Sequence, residues 1–187
     1  MYDIAIIGSG PAGSSAAIFA AKAKKNTLVI DNGKSMTQRA WVENHYGITG
    51  ISGPDLLEVG KKQASKFGAE FVQATVLNIT TDNGSLSIET DNNQSFQAKH
   101  VLLATGALTD LAERIGLKLI PGKEPRIKTI IEVDEDGRTN KERVWAAGTV
   151  AGVSVHTIVT AGNGAAVAIN IISELNGERY VDHDVLK

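Results

Sequence analysis

The hexapeptide Gly8-Ser9-Gly10-Pro11-Ala12-Gly13 follows the apolar run "YDIAII", and an acid, Asp31, stands 18 positions beyond Gly13. Each glycine of such a loop has its own task. Gly8 permits a tight turn out of a strand, Gly10 lets an anion approach the main chain, and Gly13 lets a helix lie close on the sheet. A helix opening at Pro11 exposes backbone N–H groups and the positive end of its dipole, a seat for a pyrophosphate. Asp31, an acceptor-only carboxylate at the end of a second strand, is placed to receive hydrogen bonds from ribose hydroxyls. The chemistry implied is dinucleotide binding, and the pattern leaves NAD and FAD both open. The competing reading is a glycine turn that only packs a helix on a strand.

The elements that must position these residues are legible in outline. Residues 2–8 read as a strand, 11–24 as an Ala-rich helix and 26–31 as a second strand, a β-α-β unit of the expected size. Residues 32–53 read as a loop, after which "GPDLLEVGKKQASKFG" predicts a helix with Leu56, Leu57, Val59 and Phe67 at helical spacing. From 69 to 104 the segments "EFVQATVLNI", "SLSIET", "QSFQA" and "HVLLAT" predict short strands, with "TDNG" and "DNNQ" as turns between them. An amphipathic turn and a Pro/Gly loop follow over 107–127. "RIKTIIEVDEDGRT" predicts a hairpin about Asp136-Gly137 whose acids are a solvated turn, "RVWAAG" (143–148) a buried strand, and 156–176 a last helix. The expectation is one α/β domain over 1–187, with a β-meander at 69–100 and a short bridge at 107–127.

Composition narrows the partners. The 187 residues are 42% hydrophobic and 21% charged with a formal net charge of −2, and Lys and Arg are dispersed. No nucleic-acid footprint or anionic-membrane surface is visible. The absence of cysteine removes disulfides, thiolate metal sites and dithiol catalysis together. A strand candidate at residue 2 leaves no room for a signal peptide. The apolar stretch "IVTAGNGAAVAINIISEL" is interrupted by Asn163 and Asn170, and reads as a buried helix rather than a membrane span. A cytoplasmic location is the expectation. His45, His100 and His183 are scattered without ligand spacing, so no metal is assigned.

Several further motifs stand in a set order: "ENHYG" and "ISGPDLL" (43–57), "FGAEFV" (67–72), "VLLATGA" (101–107) and "RVWAAGTVAG…TAGNGAAVA" (143–168). With "GSGPAG" and Asp31 they make the chain resemble the FAD domain of the thioredoxin-reductase-like flavoproteins, within the pyridine-nucleotide disulfide oxidoreductase group. The resemblance implies a Rossmann-like three-layer α/β FAD/NAD(P)-binding fold with a parallel sheet, a β-meander insertion and a C-terminal helix. It also implies FAD as cofactor. By the same resemblance Ala104-Thr105-Gly106 crosses near the pyrophosphate and Asn44 lies close to the flavin. The strand end at Gly148-Thr149 meets the ribityl chain, and His156 and Thr157 form a polar pair beside the ring. The last helix would point its N-terminus at the pyrimidine side, where reduction places negative charge.

Departures from that family matter as much. Its FAD domain is interrupted by an NADPH domain with a second glycine loop and a Cys-x-x-Cys; here "ATGALTDLAERIGLKLIPGKEP" runs straight into "RIKTIIEVDEDGRTN". Thr149 replaces the usual Asp and offers one hydrogen bond without charge. His156 either donates to the flavin or is a capping or packed histidine; the helix dipole opposes a cation there. Trp41 and Tyr46 are expected to pack in the core or a lid rather than stack on a ring. The function expected is a minimal FAD-dependent oxidoreductase, fed by a partner protein or slowly by free NAD(P)H, and not a self-contained disulfide reductase. The alternatives are a non-catalytic FAD- or nucleotide-binding subunit of an assembly, and a small NAD-dependent enzyme. A homodimer is expected by analogy with the family, alongside an electron-donor or acceptor protein.

Overall fold

Period-two burial organises the centre of the molecule. Ile4 and Ile6 of β1 (Tyr2–Ile7) face one apolar cluster, while Ala5 and Ile7 face another. In β2 (Thr27–Asp31), Leu28 and Ile30 take one side and Val29 the other. Strands covered on both faces need apolar residues throughout, and these two pair in parallel. The computed structural model describes residues 1–82, 84–182 and 184–185.

Between β1 and β2 runs α1 (Pro11–Lys22), which buries Ala12, Ala16, Ala17, Ala20 and Ala21. Side chains this small let α2 (Gly53–Lys66) and α4 (Thr157–Asn176) come close to it. The seven-stranded sheet has the order β5 (Glu70–Gln73), β2, β1, β8 (Ser95–Leu103), β7 (Ser85–Thr90) and β6 (Val76–Asp82), with β11 (Val144–Ala146) also on β8. β8 is long enough to serve two partners along one edge. Its first half pairs antiparallel with β7 and its last residues, Val101–Leu103, pair parallel with β11. Its other edge lies along β1. Helices α1, α2 and α4 supply one cluster; β6, β7, α3 (Asp110–Arg114) and the ribbon of β9 (Leu119–Pro121) with β10 (Thr129–Ile131) supply the other.

Several boundaries differ from expectation. "EFVQATVLNI" is two strands, because β5 adds to the parallel edge beside β2 while β6 belongs to the meander. "QSFQA" and "HVLLAT" contain no breaker and form the single strand β8. No strand pair forms about Asp136-Gly137; β10 turns back on β9. There the Asp134 carboxylate accepts from the N–H of Asp136 and Arg138 and holds a tight turn whose acids are exposed while Gly137 is buried against Val167. The loop 32–53 contains a 3-10 turn (Met36–Arg39) and the short pair β3 (Trp41–Val42) with β4 (Ile51–Ser52). Gly53, Gly60 and Ala64 are the buried residues of α2, and its leucines are only half-buried. A Cβ at Gly60 would sit 2.9 Å from Ser14 Cβ, so the close approach of α2 to α1 replaces leucine packing.

Helix α4 is long and apolar enough, by length and composition alone, to cross a bilayer. In this fold it buries Thr160, Gly164, Val167, Ala168, Ile171 and Ile172 against the protein and leaves Ile158 and Val159 exposed. It is therefore buried on one face only. Asn83 of the expected "TDNG" turn, and His183, lie outside the described residues.

Candidate nucleotide-binding site

The chain leaves β1 through Gly8 at φ +102°, where a Cβ would stand 2.5 Å from the Ala104 carbonyl oxygen. Ala104-Thr105-Gly106 therefore crosses directly beside the glycine loop, and the Ala104 N–H donates to the Ile7 carbonyl at 2.9 Å. A Cβ on Gly13 would overlap the Gly8 carbonyl oxygen, so α1 rests on the turn because that residue is glycine. Ser14 Oγ–H donates to the Ser9 carbonyl at 2.8 Å and stiffens the loop further. Pro11 has no N–H, and the first helical bond runs from Ser14 N–H to the Gly10 carbonyl. The N–H groups of Ala12 and Gly13 therefore have no helical acceptor, the arrangement by which a helix start can receive an anion.

Asp31 is tied to this loop. Its Oδ1 accepts from Ser9 N–H at 2.9 Å and its Oδ2 from Gly33 N–H at 2.9 Å. The half-buried carboxylate is oriented at the loop while each oxygen keeps a further lone pair. Ser35 Oγ lies 3.3 Å from where a Gly10 Cβ would be, which sets a hydroxyl beside the open face of the loop. A shallow cavity of about 320 Å³ lined by Asn32, Gln73, Ala74, Thr75 and Asp91 opens next to Asp31.

The turn after β11 and helix α4 both converge on Ala12. A Cβ at Gly148 (φ +79°) would stand 2.8 Å from Ala12 Cβ, and one at Gly164 would overlap the Ala12 carbonyl. The Gly148 N–H donates to Asn163 Oδ1 at 2.7 Å, fixing the end of β11 to α4. Thr149 follows half-buried, its carbonyl accepting from Gly152 N–H. At the start of α4, His156 caps through its backbone only, and its Nδ1 lies 2.8 Å from Ser154 Oγ. The first helical bond is Thr160 N–H to the His156 carbonyl, so the N–H groups of Thr157, Ile158 and Val159 have no helical acceptor. Asn44 is exposed in its loop. Its neighbour His45 brings that loop to α4, with Nδ1 3.1 Å from Thr157 Oγ1 across 112 residues of sequence.

The sequence-derived residues thus fall into two linked groups: Gly8–Gly13, Asp31 and Ala104–Gly106 with Gly148-Thr149, and Asn44 with His156 and Thr157. Sequence reasoning missed Ser14, Ser35, His45 and Asn163. Asn163 carried a signal, being a polar residue beside glycine in an otherwise apolar helix; Ser14 and Ser35 carried none beyond turn and helix composition. Trp41 and Tyr46 do not pack in the core, since they are 66% and 94% exposed. A larger, open depression of about 400 Å³ lies towards the far end of α4, among Asp136, Arg138, Asn170, Glu174 and Arg179. Its polar groups engage one another, Arg138 pairing with Glu174 and Arg179 donating to the Asn170 amide oxygen, and it is remote in the fold from the glycine loop.

A glycine loop at the end of a parallel strand in a mixed, mostly parallel sheet, an acid at the next strand end and a second helix packed on Ala12 define a Rossmann-like nucleotide-binding α/β protein. Residues 2–130 match the family model described as "Pyridine nucleotide-disulphide oxidoreductase", and the chain belongs to that family. It is 38% identical over 114 residues to a thioredoxin reductase of Aquifex aeolicus, covering 58% of this chain and 35% of that protein. To a thioredoxin reductase of Peptoclostridium acidaminophilum it is 38% identical over 127 residues, covering 66% of this chain and 40% of that one. The alignments thus span well under half the length of these curated relatives. Among solved structures, a thioredoxin reductase from Gloeobacter violaceus superposes with a TM-score of 0.79 at 18% identity, covering 100% of this chain and 99% of that one. An oxidoreductase from Agrobacterium tumefaciens gives 0.82 at 16% identity, covering 95% and 99%. Both share the fold.

Proposed function

We propose that this protein is a minimal FAD-dependent oxidoreductase that receives its electrons from outside its own chain. The observation that carries the reading is the junction of glycine loop and acid: Ser9 N–H on Asp31 Oδ1, with Ala104 packed against Gly8. The residues present fit FAD. Ala12 and Gly13 N–H would hold the pyrophosphate, Asp31 the ribose of the adenosine half, and Gly148-Thr149 the ribityl chain. Asn44, His156 and Thr157 would surround the ring end. When bound, the flavin supplies the electron-transfer chemistry. The protein's share is to orient it, to exclude a side chain where the phosphates approach Gly10, and to offer N–H donors at the start of α4.

Family membership supports the oxidoreductase class. The partner-dependent reading comes from the chain itself: the bridge at 107–127 holds no second glycine loop, and the chain has no cysteine to carry a dithiol. A homodimer and a cytoplasmic setting belong to the same proposal. Exposed Trp41, Tyr46, Val155, Ile158 and Val159 are in keeping with a protein partner. The test is reconstitution. Purified protein mixed with FAD, then desalted, is expected to retain a yellow flavin spectrum at about one FAD per chain, and to retain FMN poorly. Protein that emerges colourless refutes the reading. A bound flavin that no donor protein or chemical reductant cycles would favour a non-catalytic nucleotide-binding subunit.

A further inference from the structure

Two imidazoles stand at the start of α4, and they are wired differently. His156 Nδ1 meets Ser154 Oγ within its own turn. His45 reaches across from another element to Thr157 Oγ1, and the pair is half-buried. Within the His45 loop, Ile48 N–H donates to the His45 carbonyl at 3.0 Å, so the residue whose ring reaches α4 also turns the loop.

Thr157 is the first residue of α4, and its hydroxyl stands among the N–H groups left without a helical acceptor. A hydroxyl has one proton, and the imidazole decides where it points. With a proton on Nδ1, His45 donates to Oγ1 and the Thr157 O–H is free to donate outward. With Nδ1 bare, the hydroxyl donates to the ring and turns only lone pairs outward. We infer that His45 is a positioning residue, which sets the direction of the Thr157 hydroxyl and holds the Asn44 loop on α4, so that the helix start presents a matched set of donors to the acceptor edge of a bound heteroaromatic ring. The inference rests on the flavin reading above, whose ring carries such an edge. The titratable groups adjoining the pair are His156, tied to Ser154, and the exposed Glu43 and Tyr46 of the loop. Among the described residues none of these hydrogen-bonds His45 or Thr157.

The test uses the full chain with FAD, reading the dissociation constant from flavin fluorescence and the absorption band of the bound flavin. Thr157→Val keeps the side-chain shape and removes the hydroxyl; His45→Phe removes the imidazole. Each is expected to weaken FAD binding roughly two- to tenfold, the loss of one hydrogen bond. The double variant should lose no more than either single one, because the two residues act as one device. Both variants should also show the same small shift of the bound-flavin absorption band. His45→Gln, whose amide can hold the Thr157 hydroxyl, should recover affinity and return the absorption band towards wild type. Variants with unchanged affinity and a superimposable bound-flavin spectrum overturn the inference, and so does an additive loss in the double variant. A wild-type chain that takes up no FAD overturns the flavin reading as well, which separates the two failures.

Discussion

Replacing Asp31 with alanine removes one carboxylate that serves two structures. In the free protein it accepts from the N–H of Ser9 and of Gly33, each at 2.9 Å, and so braces the glycine loop against the end of β2. Hydrogen bonds to a charged acceptor are worth roughly 1.5–3 kcal/mol each when sheltered. Both donors lie where water can replace the lost oxygen, so the unliganded protein should lose about 1–3 kcal/mol in total. FAD binding loses more, because the ribose hydroxyls lose their acceptor and the loop loses its brace. A further 1.5–3 kcal/mol corresponds to a dissociation constant about tenfold to 150-fold higher. Asp31→Asn keeps one acceptor oxygen but turns an NH₂ towards the other donor, and should fall between wild type and alanine in both respects. The assay is urea unfolding of the unliganded proteins, paired with fluorescence titration of FAD. If Asp31→Ala unfolds at the wild-type urea concentration and binds FAD as tightly, the carboxylate neither braces the loop nor reads the ribose, and the site assignment fails with it.

Further outcomes follow from the same geometry. Gly164→Ala places a methyl on the Ala12 carbonyl and should cost about 1–3 kcal/mol, near 2–4 °C of melting temperature per kcal/mol, while Gly162→Ala on the open face of α4 should be neutral or stabilising; equal melting shifts would contradict the packing described. His100 is buried and its Nδ1 accepts from Trp145 Nε1–H at 3.1 Å. Burial lowers its pKa; Glu174 works against that, and Arg143, Arg138 and Lys99 add to it. Because the folded value lies below the ordinary 6.5, the unfolded chain binds the extra proton first. Stability should therefore be intact above that pH and decline as the pH falls towards the folded value. A His100→Gln variant whose stability falls just as steeply from about pH 7.5 to 5 would count against this. Finally, stopped-flow mixing with NADH or NADPH should reduce the bound flavin slowly and without saturation. A two-domain reductase gains roughly 7–11 kcal/mol by holding the nicotinamide in place, and the bridge offers no second phosphate loop to do so. Fast, saturating reduction would reveal a docking site within this chain.

The outlines of the fold were readable because they rest on local chemistry. Short continuous apolar runs in β1, β2 and β11 declare strands buried on both faces, and Pro11 opens α1 next to a glycine turn that no other residue type would tolerate. The errors arose where the partner, not the segment, decides. β5 looks like part of the meander until its pairing with β2 is known. Likewise "TIIEV" suits a hairpin about Asp136-Gly137 as well as it suits pairing with β9. The leucines of α2 follow helical spacing, yet close approach at Gly60 against Ser14 leaves them at the margin.

By itself the sequence determined the glycine loop, the acid at the second strand end and the absence of cysteine, since each depends on residue types within a short span or on composition. Tertiary structure alone decided which distant residues complete the site. Asn163 bonds Gly148 only because α4 packs on α1 through Gly164, and His45 meets Thr157 across 112 residues only because the loop after β3 reaches the start of that helix. Side-chain hydrogen bonds between elements leave no periodicity and no composition signal along the chain. They exist only when packing brings a donor within about 3 Å of an acceptor, and that distance is set by the whole fold rather than by either segment.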